Sequence, residues 1–235
     1  MQLDMHYHGT YAMAIAAGLS SEVAKIIATS SALCDDAVAR TPIEFSDGAC
    51  FVAEPTAHHA LDQDNINKEH QREIWIPFHF LPGDEGHTYE ERLICRMDSA
   101  ISQEMLRHHI GERDESYYLY LIGIAAHVYA DTFSHFGFSG ISSEYNSVDT
   151  QSIEFYELNE TMTNYIRGKA ERFFQKYLSP NVENLEAAAA QAFSGSLGHA
   201  GVATHPDRPY LSWSFQHMHS GALAEKRDNR VNFLL

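Results

Sequence analysis

The stretch from Tyr117 to Gly140, YYLYLIGIAAHVYADTFSHFGFSG, constrains the fold more than any other part of the chain. It is apolar on nearly every side for about five turns, the pattern of a helix buried all round. Such a helix should carry no polar side chain unless something satisfies it, yet this one holds His127, Asp131 and His135. Successive i+4 steps drift by only about 40° around a helix, so the three side chains form one polar line along a buried rod. His127 and Asp131 alone could be a hydrogen-bonded pair in the core. A buried carboxylate with a third titratable group on the same line is costly without compensation, however, and His, Asp and His in an apolar setting form a metal-ligand arrangement.

Composition supports several ions. Histidine is in excess, with 15 residues in a chain of 235. The 44% hydrophobic content is enough for one sizeable core, and no composition break divides the chain. A formal charge of −16 with only 16 Lys and Arg argues against a nucleic-acid scaffold, because phosphate backbones need clustered cations. Cys34, Cys50 and Cys95 are odd in number and form no CxxC pair, which indicates neither a disulfide framework nor a thiolate zinc site. With no classical signal peptide and no long uncharged apolar run, the expectation is a cytoplasmic protein without a transmembrane segment.

In chain order, Gly9 to Ala17 suits a first helix stopped by Gly18. Asp4, His6 and His8 stand at its mouth, where they could be ligands or merely solvated. Ser20 or Ser21 caps a second helix to about Ala39, and Asp35 and Asp36 near its end oppose the helix dipole. A compensating cation would rationalise that pair, and so would simple exposure. Asp47-Gly48 signals a hairpin turn within an otherwise irregular 41–87. His79, held between Pro77 and Pro82, is either packed on the core or aimed into a site, while His58, His59, His70 and His87 read as surface residues. Thr88 and Glu91 form a capping box opening a long amphipathic helix that ends at Gly111, its His108 and His109 complementing the dipole. After a flexible loop past Gly137 that could border a pocket, helices are expected over about 150–178 and 181–193. His199, His205 and Asp207 lie in a Gly- and Pro-rich loop that no helix period explains, which makes them functional candidates. The last residues, VNFLL, look like the start of a helix, so either the C-terminus packs back or the chain is incomplete. The expected architecture is therefore all-α: one domain over 1–235, a multi-helix bundle around the buried central helix, with long irregular loops.

HVYADTFSH in a buried helix, an N-terminal segment bearing His6, the Asp35-Asp36 pair and FHFLPG together resemble a little-characterised bacterial family with a central HxxxDxxxH helix. Its members begin with an Asp-Phe-His-Tyr-Tyr-like segment, where this chain has Met5 and His8 in place of the Phe and the second Tyr. More distantly, the arrangement is similar to the all-helical superfamily of zinc-dependent phospholipases C and single-strand nucleases. That resemblance implies two or three divalent ions, zinc or otherwise Mn or Fe. His127 and Asp131 would match the central motif with Asp131 bridging ions, and His79 would share an ion with them. His6 with Asp36 or Asp35 would form another site, and His135 with residues from His199, His205 or Asp207 the remaining one.

The expected function is thus a metal-dependent hydrolase, a phosphoesterase for a small phosphoester or phospholipid-like substrate. Asp131 would organise the ions, and Asp36 would orient or deprotonate the attacking water. The alternatives are a non-enzymatic helical binding protein with structural metal, and an HD-type nucleotide phosphohydrolase, whose contiguous His-Asp signature is absent here.

Overall fold

A computed structural model describes residues 3–59, 62–156, 160–161, 163–165, 168, 196–219 and 225–232. Of the helix expected over about 150–178, most of the part after Tyr156 lies outside the described residues, and all of that expected over 181–193 does. A π-helical turn, Asp4–Gly9, runs directly into α1 (Thr10–Ala16), and Gly18 ends it at φ +87°. Ser20 accepts from the Val23 amide and caps α2 (Ser21–Leu33). This helix stops well short of Ala39. As a result Asp35 and Asp36 stand beyond its last turn, not on its dipole. Around Asp47-Gly48 a small antiparallel hairpin joins β1 (Ile43–Glu44) to β2 (Cys50–Phe51). A broken helical segment, Lys68–His70, Gln71–Trp75 and Ile76–Phe78, then carries the chain to His79.

The capping box forms as read, Thr88 with Glu91, but it opens only the short α3 (Tyr89–Arg92). The expected long helix is interrupted because Ile94 and Cys95 pair as isolated bridges with Ser139 and Pro82. Ser99 caps the separate α4 (Ala100–Gly111). The central helix is α5 (Tyr118–His135), buried from His127 onward apart from half-buried Tyr129. It crosses α2 closely at Gly123, where an added Cβ would fall 2.5 Å from Ser30 Cβ and against the Ile27 carbonyl.

The all-α expectation is overturned by two antiparallel sheets among the described residues. Residues expected to begin a helix at about Thr150 instead form β3 (Val148–Tyr156), which pairs with β4 (Ser212–His217), which pairs in turn with β5 (Glu225–Asp228). Ile153 and Tyr156 fit a helical stripe, but Phe155 opposite Trp213 offers a cross-strand aromatic pair, and tertiary pairing overrides a local pattern. The sheet carries the main apolar core, in which Trp213 and Phe215 pack with Phe80, Phe138, Val148, Val202 and Leu211. The loop after Gly137 is pinned, not loose: buried Asn146 donates to the Ser139, Ile141 and Ser196 carbonyls. It does border a cleft of about 660 Å³, whose walls include Gln71, Arg72, Tyr89, Ser142 and Tyr145. None of the candidate ligands lines that cleft. The chain's final described turn, Asn229–Asn232, is helical; of the expected VNFLL helix only Val231 and Asn232 lie within the described residues.

The α2–α5 crossing yields a stability prediction. Gly123→Val should destabilise the fold by about 1–3 kcal/mol through overpacking, lowering Tm by about 2–4 °C per kcal/mol. Thermal denaturation followed by circular dichroism measures this, and an unchanged Tm contradicts the close crossing.

Candidate metal centre

Asp131, fully buried on α5, is the point on which the ligands converge. Its Oδ1 lies 3.2 Å from His6 Nε2, and its Oδ2 lies 3.3 Å from both His79 Nδ1 and His127 Nε2. Asp35 reaches the same place from the end of α2, with Oδ1 3.7 Å from His79 Nδ1 and 3.9 Å from His127 Nε2. Its Oδ2 is 3.9 Å from His6 Nε2. A second group adjoins the first one helical turn along α5. There His135 Nε2 lies 2.9 Å from Asp207 Oδ1, and His199 Nε2 lies 3.7 Å from Asp207 Oδ2. Three sets, His6 with His127 and Asp131, Asp35 with His79 and His127, and His135 with His199 and Asp207, each bring their ligand atoms within 4.8 Å of one another.

The outward ring nitrogens explain how the inward ones are presented. His127 Nδ1 lies 2.8 Å from the Ser31 carbonyl, and His79 Nε2 lies 2.8 Å from that of Thr56. His199 Nδ1 lies 2.7 Å from the Ala203 carbonyl, and His135 Nδ1 lies 2.6 Å from that of His79. A carbonyl only accepts, so each of these nitrogens donates. In a neutral ring the nitrogen facing the cluster then brings a lone pair, as in metal-ligating histidines. His6 is held differently: its ring stacks on His127 at 3.7 Å, and its Nε2 faces the Asp131 carboxylate instead of a main-chain carbonyl.

Burial sets the protonation of the rings. Desolvation lowers His6 to about 3, His199 to about 4, and His127 below its ordinary value despite the neighbouring Asp131. Burial alone would lower His135 too, but Asp131 and Asp207 on either side outweigh it and raise the value. Burial opposes ionisation of Asp131 and Asp207, yet the adjacent histidines hold both carboxyls well below the usual carboxylate range. Carboxylates among imidazoles form a donor set that suits a borderline divalent cation. No cysteine belongs to these sets among the described residues; burial, with Asp35 and Asp131 adding to it, pushes the nearby Cys34 thiol up to about 12.

Local sequence places these ligands. In FHF, His79 enters the first group while Phe80 stacks on His135 at 4.7 Å. Gly198, at φ +53°, sits where any Cβ would strike the Phe80 ring, so the glycine lets His199 approach. Two candidate ligands stay out of the cluster. Asp36 is exposed and turned away from it, because α2 ends early and only Asp35 faces inward. His205 packs edge-on against Phe155 and Trp213 instead, and burial lowers it to about 3. His8 is exposed. His58, read as a surface residue, is buried and lies 2.9 Å from Arg40 Nη2. The carbonyls of Ser31, Thr56, His79 and Ala203 carry no sequence signal, since any residue could supply them.

Fold and site together define a mixed helical and antiparallel-sheet chain with a buried histidine–aspartate cluster. Over residues 1–235 the chain matches the model of a family described as a family of unknown function (DUF6765), and it belongs to that family. No curated protein and no solved structure matches it.

The protonation pattern predicts acid lability. His6 and His199 have folded values depressed from 6.5 to about 3 and about 4, so they bind protons more readily when unfolded. Their contribution to stability is present above pH 6.5 and lost as pH falls through the folded values, whereas His135, being raised, acts in the opposite sense. The metal-free protein should therefore lose Tm progressively as pH falls from 6.5 towards 4. A flat or rising profile over that range contradicts the buried neutral rings.

Proposed function

We propose that this chain is a metal-dependent hydrolase, a phosphoesterase acting on a small phosphoester or a phospholipid-like substrate. The observation that carries the reading is the convergence of imidazole lone pairs and carboxylates on Asp131 and Asp207, with the outward ring N–H groups tied to main-chain carbonyls. His6, Asp35, His79, His127 and Asp131 would hold one or two ions, and His135, His199 and Asp207 a further one. Zinc fits the nitrogen and oxygen donor set, as would Mn or Fe. Such ions supply Lewis acidity towards a phosphoryl oxygen and make water acidic enough to attack near neutral pH.

The protein's own part is to hold and orient. Asp131 spans the first group with both oxygens, and the aromatic packing around His79 and His135 keeps bulk water away from it. The cluster meets solvent at Asp35, whose side chain is 34% exposed, and at His199, 17% exposed. Substrate would enter there, and Asp35 takes the water-orienting role expected of Asp36. Among the described residues no helix is long and apolar enough to cross a membrane. The free cysteines fit a reducing compartment, and we assign the chain to the cytoplasm on that ground.

A structural role for the metal is favoured by one observation, the near-complete burial of His6, His127 and Asp131. Closed sites with full protein shells stabilise, while open ones catalyse. One experiment separates the readings: metal analysis of the purified chain with an assay on a generic phosphodiester and monoester. Bound divalent metal and hydrolysis that falls by more than about 100-fold in Asp131→Asn are expected, beyond what loss of an outer-shell partner usually costs. Metal without hydrolysis of either ester leaves the structural role, and no bound metal contradicts both.

A further inference from the structure

The second group of ligands is assembled by a part of the chain that supplies none of them. Arg227, on β5 and 2% exposed, donates from Nη1 to the Ser134 carbonyl at 3.1 Å and from Nη2 to the Phe136 carbonyl at 2.5 Å. These two carbonyls flank His135. Asn229, two residues on and also 2% exposed, donates from Nδ2 to the carbonyls of His205 and Arg208, each at 2.8 Å, and of Pro206 at 3.2 Å. Those carbonyls flank Asp207. We infer that the segment Arg227–Asn229 is a clamp for this centre, with Arg227 and Asn229 as the residues that position His135 and Asp207 within reach of one ion. This rests on the proposed reading of His135, His199 and Asp207 as metal ligands.

The chemistry of both grips is demanding. The last carbonyls of a helix have no partner within it, and at α5 they end in a buried aromatic shell of Phe136, Phe138, Trp213 and Phe215 around the guanidinium. Arg227 satisfies two of them, and Glu225 Oε1 at 2.8 Å balances its charge. Gly137, at φ +83°, makes room, since a Cβ there would sit 3.0 Å from Arg227 Nη2. Asn229 is fixed from its other end, where Oδ1 accepts from Trp213 Nε1 at 3.1 Å. Its amide N–H also donates to the Leu211 carbonyl at 2.9 Å. With the carboxamide held at both ends, the main chain of the 205–208 turn on either side of Asp207 is fixed. The side-chain grips of Arg227 and Asn229 fall on the carbonyls beside His135 and Asp207, so the clamp acts on that centre.

Metal content of the full chain, measured by plasma mass spectrometry after reloading with Zn²⁺, tests this with Asp207→Asn as reference. Asn229→Ala should take up about one equivalent fewer than the wild type, as should Asp207→Asn, and the double variant should lose nothing more. Arg227→Lys, which keeps a cation beside both carbonyls, should retain more of that equivalent than Arg227→Met. Full loading of Asn229→Ala and Arg227→Met overturns the clamp, and loss of every ion from Asn229→Ala overturns its confinement to one centre. A second arm needs no metal: in the metal-free protein, the proton that His135 Nε2 shares with Asp207 is read by proton NMR. Its resonance should vanish in Asn229→Ala, and persistence overturns the clamp. A wild type that binds no zinc sinks the hydrolase reading instead, while the NMR arm still decides the clamp.

Discussion

The interaction on which the rest of the structure depends is the hydrogen bond from an outward imidazole N–H to a main-chain carbonyl. It occurs at His79, His127, His135 and His199. Each fixes a ring's orientation and decides which nitrogen faces inward. The carbonyls come from different parts of the chain: Ser31 in α2, Thr56 after the hairpin, His79 itself, and Ala203 in the C-terminal loop. Tertiary structure is thereby tied to ligand geometry. The α2–α5 crossing at Gly123 is tight because Ser31 must bring its carbonyl to His127, and Ser31 also borders Gly123 in the crossing.

His135 shows how the two ligand groups communicate. With Nδ1 donating to the His79 carbonyl and Nε2 facing the Asp207 carboxylate, its ring in the metal-free protein carries both protons, in keeping with its raised pKa. A cation bound beside Asp207 must displace the Nε2 proton, so occupation of the second group is coupled to proton release. Its neighbours His127 and His199 need no such change, since burial already keeps them neutral.

Much of the first group was legible in the sequence because its logic is local. The i, i+4, i+8 spacing on α5 is helical arithmetic, and a carboxylate on a buried helix demands a partner. His79 between prolines, the Asp35-Asp36 pair and the loop bearing His199 and Asp207 were also visible. What was not legible depended on non-local pairing. Asp35 and Asp36 could not be told apart until the end of α2 was known. His205 and Asp207 lie two residues apart in a loop, and only the edges of Phe155 and Trp213 decide that His205 packs against them while Asp207 joins His135 and His199. The sheet was missed because Ile153 and Tyr156 mimic a helical stripe. The alternation Ser212-Trp213-Ser214-Phe215 that opposes β3 is a strand signal only when its partner is recognised.

The division of labour follows from that architecture. Helices and the segment through His79 build the first group, whereas Arg227 on β5 and Asn229 just after it, braced by Trp213 of β4, grip the carbonyls beside the second. The most direct measurement is X-ray absorption at the metal edge of the zinc-loaded protein. A first shell of nitrogen and oxygen only, at about 2.0–2.2 Å with imidazole multiple scattering, is the result expected of ions held by His6, His79, His127, His135, His199 and the three aspartates. Sulfur in the first shell, or a spectrum of hydrated zinc without imidazole, would contradict the central claim that these buried rings and carboxylates exist to hold a cation.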